Sequence, residues 1–442
     1  KLIFFNDTLE VKKLYFVEED ETIIFSNRLD IIAKLSSKQS LNYDELAAAW
    51  YLNFKINSIP LIKNIKTISG KFIYQNGKLN KILPHYLKPN FSINADTDEF
   101  DNVLEKIALS YLNSNKKLSL GLTGGLDSRL LLSYLLKQTK GEWGVHTFGN
   151  NKLPDVIFSK NITESFNIKH KIFDYEIPKV EKLVEDFTNN AAYTNVTIPI
   201  SEMIQFNMHK HFSDLTILGM DGSYGELYRR QMFNRLAIAG RKELLDKRVD
   251  SLLKFFLSSR PNIFNNDFFN VKNLELSLAE MFTMLPNPKE IGVENWLDLM
   301  SMIVKLPNST AFSQQRLDDI CTTFTAFIQP NLINIGLRIP LNKRLKARLF
   351  REIIKKNEPQ LTKFPLIKNH SSYPFWMSNR TAWVLTKVKS KIVKPYILSL
   401  NTTVLKLLKE YTFDKLNSSS FINEPIYNKD LIKTAVFDYY NG

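Results

Sequence analysis

Between residues 97 and 228 short apolar strands alternate with helical text, and no other feature limits the fold of this chain so strongly. The pattern predicts a helix over Thr97–Asn113, with apolar residues at Phe100, Val103, Leu104, Ile107 and Tyr111. A strand over Leu118–Leu122 and a helix over Ser128–Leu136 follow. Further strands are predicted at Trp143–Phe148, His170–Tyr175 and Leu215–Gly219, and helices at Asp155–Phe166 and Val180–Asn189. Strands separated by helices are joined by right-handed crossovers, so they run parallel with helices on both faces of the sheet. The expected fold class is therefore α/β.

The flanking sequence reads differently. Lys1–Phe5, Lys13–Val17 and Thr22–Phe25 are short apolar runs with turn formers between them, a β-meander. Helical text follows at Asn27–Leu35 and Tyr43–Tyr51. Strands resume at Lys71–Tyr74 and Leu79–Ile82 around the turn Asn76-Gly77. We divide the chain into a partial β-rich domain (1–83), a linker (84–96), the α/β domain (97–228) and a mostly helical region (229–442). A sheet that begins at Lys1 is expected to lack strands from upstream, and its single layer is expected to pack against the α/β domain, because lone strands cannot bury both faces.

Composition narrows the classes of function. The net charge is +14, but the lysines are spread along the chain rather than massed in a tail, so a solvated basic surface is expected and nucleic acid is not expected as a partner. Apolar runs such as Leu46–Leu52 fall far short of a membrane span, and a secretory-type leader is not expected. Cys321 is the only cysteine, which excludes an internal disulfide and a Cys-rich zinc site. A cytoplasmic protein is the expectation.

Glycine is scarce, yet six of the fifteen fall in two segments: Gly121, Gly124 and Gly125, then Gly219, Gly222 and Gly225. The first segment carries a strand through a Gly-Gly turn straight into a helix. That geometry aims unpaired N–H groups and the positive helix end at whatever lies above the strand, which suits a phosphate. Thr123 and Ser128 add hydroxyl donors, and Asp127 is a hard oxygen ligand suited to Mg²⁺. No Gly-Lys-Ser/Thr follows, so this is not a Walker loop. His209 and His211 flank one residue, poor metal-ligand spacing, and are read as surface groups.

Residues Thr123–Ser128 resemble the Ser-Gly-Gly-x-Asp-Ser signature of ATP pyrophosphatase loops, with Thr123 in place of the first serine. Further stretches, in the same order along the chain, resemble the asparagine synthetase family. Lys13–Phe16 and Ile24–Asp30 resemble the late strands of its glutaminase domain, and Ile62–Gly70 the segment joining its two domains. His146–Gly149 with Leu153–Asp155 resembles the strand and loop that help hold adenosine. Leu218–Tyr228 is similar to the Ser-Gly-Asp/Glu-Gly-x-Asp-Glu motif, Gly336–Leu341 to the Glu-x-Arg-x-Pro-Phe stretch, and Pro365–Lys368 to the basic loop. Departures occur at Gly219 and Met220, where the family has Ser and Gly, and at Gly336, where an acid is common. The N-terminal cysteine nucleophile of the family's glutaminase is absent from this chain.

The resemblance implies an adenine nucleotide alpha hydrolase-like α/β domain and an ATP-dependent amide-forming synthetase. A small-molecule or peptide carboxylate would be adenylated, pyrophosphate released, and the acyl group passed to ammonia, with glutamine as one source, or to another amine. ATP and Mg²⁺ are the implied cofactors. Nucleotide contacts are expected from Leu122, Thr123, Gly124, Gly125, Leu126, Asp127, Ser128, Arg129, Thr147, Phe148 and Gly219. Mg²⁺ would be held by Asp127 and Glu226. Asp221 is the candidate acidic group of the amine step and Lys368 the cation for the departing phosphate, although Asp221 beside Gly222 also reads as a turn former. Arg338 reads equally as a phosphate ligand and as a structural partner of a carboxylate. Lactam or macrolactam closure uses the same scaffold. A tRNA-modifying adenylase would share the loop but not the preceding meander, and a silent binding relative would not need Thr123, Asp127 and Ser128. A homodimer is left open.

Overall fold

The computed structural model describes residues 3–441 apart from 8, 21, 38–39, 53, 71, 76–77, 82–90, 92, 139, 192–198, 231, 266–267, 270–271, 369, 393–398, 419–421 and 424. The Asn76-Gly77 turn and most of the 84–96 linker thus lie outside the described residues. The β-rich part contains β1 (Ile3–Phe5), β2 (Leu14–Glu19), β3 (Thr22–Ser26), β4 (Lys66–Ile68), β5 (Phe72–Gln75) and β6 (Lys78–Lys81). They form two antiparallel sheets, β1-β5-β6 and β3-β2-β4. Phe4, Phe16, Phe25 and Tyr74 pack together between them.

The bonds that fasten this part reach the helical region. Buried Lys13 donates to Glu10 Oε2 at 2.8 Å and to Asn308 Oδ1 at 3.3 Å, and its N–H reaches Gln315 Oε1 at 3.2 Å. Arg28 pairs with Asp319, and Trp50 Nε1 donates to the Pro261 carbonyl. The helix Thr310–Leu317 and its neighbours thus add polar anchors, while Leu9, Val11 and Phe54 share one apolar core with Leu118 and Leu120 of the α/β domain. Burying Lys13 is tolerated because its ammonium meets three oxygen partners.

The centre of the molecule is a five-stranded, all-parallel sheet flanked by helices, with strand order β11-β10-β7-β8-β9. Its strands are β7 (Lys117–Gly121), β8 (Trp143–Phe148), β9 (His170–Phe173), β10 (Ile217–Asp221) and β11 (Thr322–Thr325). Sequence periodicity located the first four to within two residues. It missed β11, so the sheet is completed by a strand from the region expected to be helical. Helix α1 (Thr97–Ala108) starts where the Asp96 carboxylate accepts the Asp98 N–H, and α2 (Leu126–Leu135) follows β7 directly. Pro154 opens α3 (Pro154–Ser165), where its missing N–H is harmless.

Side chains alternate across the sheet. Leu118, Leu120, Val145 and Met220 occupy one face and join the main core with Leu130, Leu131 and Phe100. The other face carries Ser119, Gly121, His146, Gly219 and Asp221, small or polar groups in register. Past residue 229 the chain is mostly helical, with a short hairpin of β12 (Leu366–Lys368) and β13 (Ser371–Tyr373). No helix among the described residues is long and apolar enough to cross a membrane.

Candidate functional site

The chain leaves β7, builds β8 and β9 on one side, then returns to place β10 on the other side of β7. The strand order reverses between β7 and β10, and in open α/β sheets the crevice outside such strand ends is where ligands bind. Both glycine-rich segments end there. Gly222 and Gly225 press directly on Asp127: a Cβ at Gly222 would lie 2.8 Å from Asp127 Cβ and from the Ser128 nitrogen, and one at Gly225 would lie 2.5 Å from Asp127 Cγ. The turn between them holds buried Tyr224 in a left-handed conformation (φ 70°). Gly222 and Gly225 are thus glycine for one steric reason, the closeness of Asp127, whereas Gly124 leaves room for Ile367.

The loop is internally bonded. The Thr123 N–H donates to Ser128 Oγ at 3.2 Å, the Gly125 N–H to Thr123 Oγ1 at 3.2 Å, and the Gly124 N–H to Asp155 Oδ1 at 2.8 Å. The N-cap of helix α2 is Gly125, which has no side chain with which to cap the first-turn N–H groups.

Asp127 pairs with Arg229, and both side chains are mostly buried. Burial pushes the Asp127 carboxyl up to about 7; Arg229 opposes this, and the Glu226 carboxylate adds to it. Asp127 Oδ1 is buried without a hydrogen-bond partner. An orphaned carboxylate oxygen with a second carboxylate close enough to be felt is an arrangement that a divalent cation would relieve. Among the described residues no three His, Cys, Asp or Glu side chains converge on one point.

Asp221 ends β10, beside Gly121, and its Oδ1 accepts the Ser223 N–H at 2.8 Å. It is therefore a turn former as well as a group at the crevice. Ile367 donates its N–H to the Gly124 carbonyl at 3.2 Å, and its side chain fills the space above Gly124. The adjacent Lys368 is thereby brought to the loop, where burial and the Arg229 charge lower its pKa.

Arg129 does not face the phosphate position. It is fully buried and donates to the carbonyls of Leu361 at 3.3 Å, Phe364 at 2.7 Å and Pro365 at 2.8 Å. Its role is to anchor the segment entering β12 to α2, because three unpaired carbonyls there need donors. The Thr147 hydroxyl is likewise turned inward, 2.8 Å from the Leu122 carbonyl oxygen and 2.9 Å from Ser159 Oγ. Phe148 packs on His146, Phe173 and His209, so His209 is half-buried beside the site rather than on the open surface. Leu122 is buried, and Gly219 sits mid-strand facing Thr323 of β11. Arg338 lies 3.6 Å from Glu99, remote from the loop's own bonds. Gly336 stands bare because the Tyr228 ring occupies the space a side chain would need.

A cleft of about 940 Å³ opens beside Gly125 and Leu126. Arg229, Arg230, Arg241, Lys346 and Lys368 line it with one acid, Glu294, which pairs with Arg241 at 2.7 Å. Trp383, Val384, Ile238 and Leu345 supply an apolar wall. Arg229 carries no expectation from the sequence, although it directly follows the Leu218–Tyr228 stretch, and Asp155, the last residue of Leu153–Asp155, bonds the phosphate loop itself at Gly124. The sequence matches no protein-family model, and no curated protein matches it.

Proposed function

We propose that this protein is an ATP-dependent amide-forming synthetase: it adenylates a substrate carboxylate, releases pyrophosphate, and transfers the acyl group to ammonia or another amine. The observation that carries the reading is the packing of Gly222 and Gly225 onto Asp127 at the point where strand order reverses. It joins a phosphate loop and a carboxylate-bearing turn in one crevice. The first-turn N–H groups of α2 would receive phosphate oxygens, and Asp127 with Glu226 would hold Mg²⁺, which neutralises charge on the phosphates. In this reading Lys368 would be the cation for the departing phosphate group, which its approach to the loop through Ile367 supports, and Asp221 would be the acidic group for the incoming amine.

Within that reaction the cleft favours an extended or peptide acid over a free amino acid, since about 940 Å³ is near the upper end for drug-sized ligands. This is the property that lactam or macrolactam closure would require. With MgATP, a panel of carboxylic acids and hydroxylamine as the amine, the expected products are AMP, pyrophosphate and hydroxamate. Asp127→Ala should abolish release while the protein stays folded. Steady formation of ADP and orthophosphate would overturn the reading.

A further inference from the structure

The Gly124 N–H, at the centre of the phosphate loop, is engaged by an anion of the protein itself, Asp155 Oδ1 at 2.8 Å. Its neighbours are satisfied differently. Thr123 and Gly125 donate to the neutral hydroxyls of Ser128 and Thr123, and hydroxyls can rotate to serve another acceptor. Asp155 brings a full negative charge, and its position is built by the fold. Gly149 (φ 126°) turns the chain, the Leu153 N–H donates to the Asn150 carbonyl at 3.0 Å, and Pro154 starts α3 with Asp155 in its first turn.

We propose that Asp155 is an internal surrogate for phosphate that makes the loop favour metal-complexed nucleotide over free polyphosphate. This rests on the adenylation site described above. A phosphate oxygen that takes the Gly124 N–H must displace the carboxylate, and the displaced charge stays tethered within a few ångströms. Two like charges at that range weaken binding by roughly tenfold or more. A cation bound to the polyphosphate offsets the repulsion, so only the metal-free anion is strongly rejected. A purely structural role predicts something else, because asparagine in this position would still accept the Gly124 N–H through its own Oδ1.

The test uses the full chain and Asp155→Asn, titrated calorimetrically with pyrophosphate in the absence and presence of Mg²⁺. Asp155→Asn should bind metal-free pyrophosphate roughly tenfold or more tightly than wild type, with a smaller gain when Mg²⁺ is present. Equal or weaker metal-free binding by a folded Asp155→Asn protein, no binding by either protein, or equal gains in both conditions would overturn the proposal. If the variant does not fold, wild type labelled with ¹⁵N-glycine decides. The Gly124 amide resonance should move as pyrophosphate replaces the carboxylate, and an unmoved resonance refutes the displacement. Failure of the adenylation reading is seen separately, as absence of AMP formation in a protein whose pyrophosphate binding still responds to Asp155→Asn.

Discussion

Gly225→Ala adds one methyl group against Asp127 and removes nothing. The new Cβ would stand 2.5 Å from Asp127 Cγ and 2.6 Å from Oδ1, where ordinary contact begins at 3.4 Å. Gly225 does not have a left-handed backbone, so alanine is not strained by its φ. The conflict is purely steric, and it must be relieved by moving the Asp127 carboxyl by nearly an ångström or by shifting the turn. Overpacking of this kind costs about 1–3 kcal/mol, and reduced chain entropy in the unfolded state returns roughly 0.4–1. Disturbing the mostly buried Asp127–Arg229 pair acts against the fold as well, so a net loss of about 2 kcal/mol is expected. Activity should suffer more, by roughly a hundredfold, because misplacing a group in the reacting geometry by about 1 Å has that effect. Gly219→Ala is the control: its Cβ would meet only Thr322 O at 3.6 Å and Thr323 Cγ2 at 3.9 Å, so the entropy gain stands alone and stability should rise by about 0.4–1 kcal/mol. Urea unfolding and pyrophosphate release, measured on both variants, give the comparison. A Gly225→Ala protein as stable and as active as wild type would refute the claim that this glycine holds Asp127 in place.

Because burial raises the Asp127 carboxyl to about 7, the folded protein holds a proton there that the unfolded chain has lost above its ordinary value of 3.8. Unliganded stability should therefore fall as pH rises across that window, whereas MgATP affinity should drop about fivefold from pH 7 to pH 6 as the proton competes with the metal. Calorimetry at fixed Mg²⁺ checks the second statement, and a flat profile would contradict it. Arg129→Met strands three carbonyls and should destabilise the fold by about 2–4 kcal/mol, reducing product formation more than pyrophosphate binding. Selective loss of pyrophosphate binding would instead return Arg129 to the phosphates. Glu226→Gln should lower ATP binding or pyrophosphate release, while Asp221→Asn should leave pyrophosphate formation largely intact and cut amide product. Equal loss of both products in both variants would mean that the two carboxylates form one metal site.

What could be read from the sequence alone was local. Strand Trp143–Phe148 has the expected bounds, and Thr123–Ser128 lies where strand meets helix, because apolar period and the Gly-Gly turn act over a few residues. Strand β11 leaves no apolar run to read, because Thr322–Thr325 holds a single apolar residue, Phe324, among three threonines and is fixed by pairing with β10. Roles assigned to single side chains depended on partners far away in the chain. Arg129 looked like a phosphate ligand beside the loop until residues 361–365 were seen to take all its bonds. Asp127 meets Arg229 across 102 residues, and Gly124 meets Asp155 across 31. Periodicity and turn chemistry specify which elements form, since they depend on bonds within each segment. Which charge faces which is decided by strand order, through contacts that exist only once β10 has been laid beside β7.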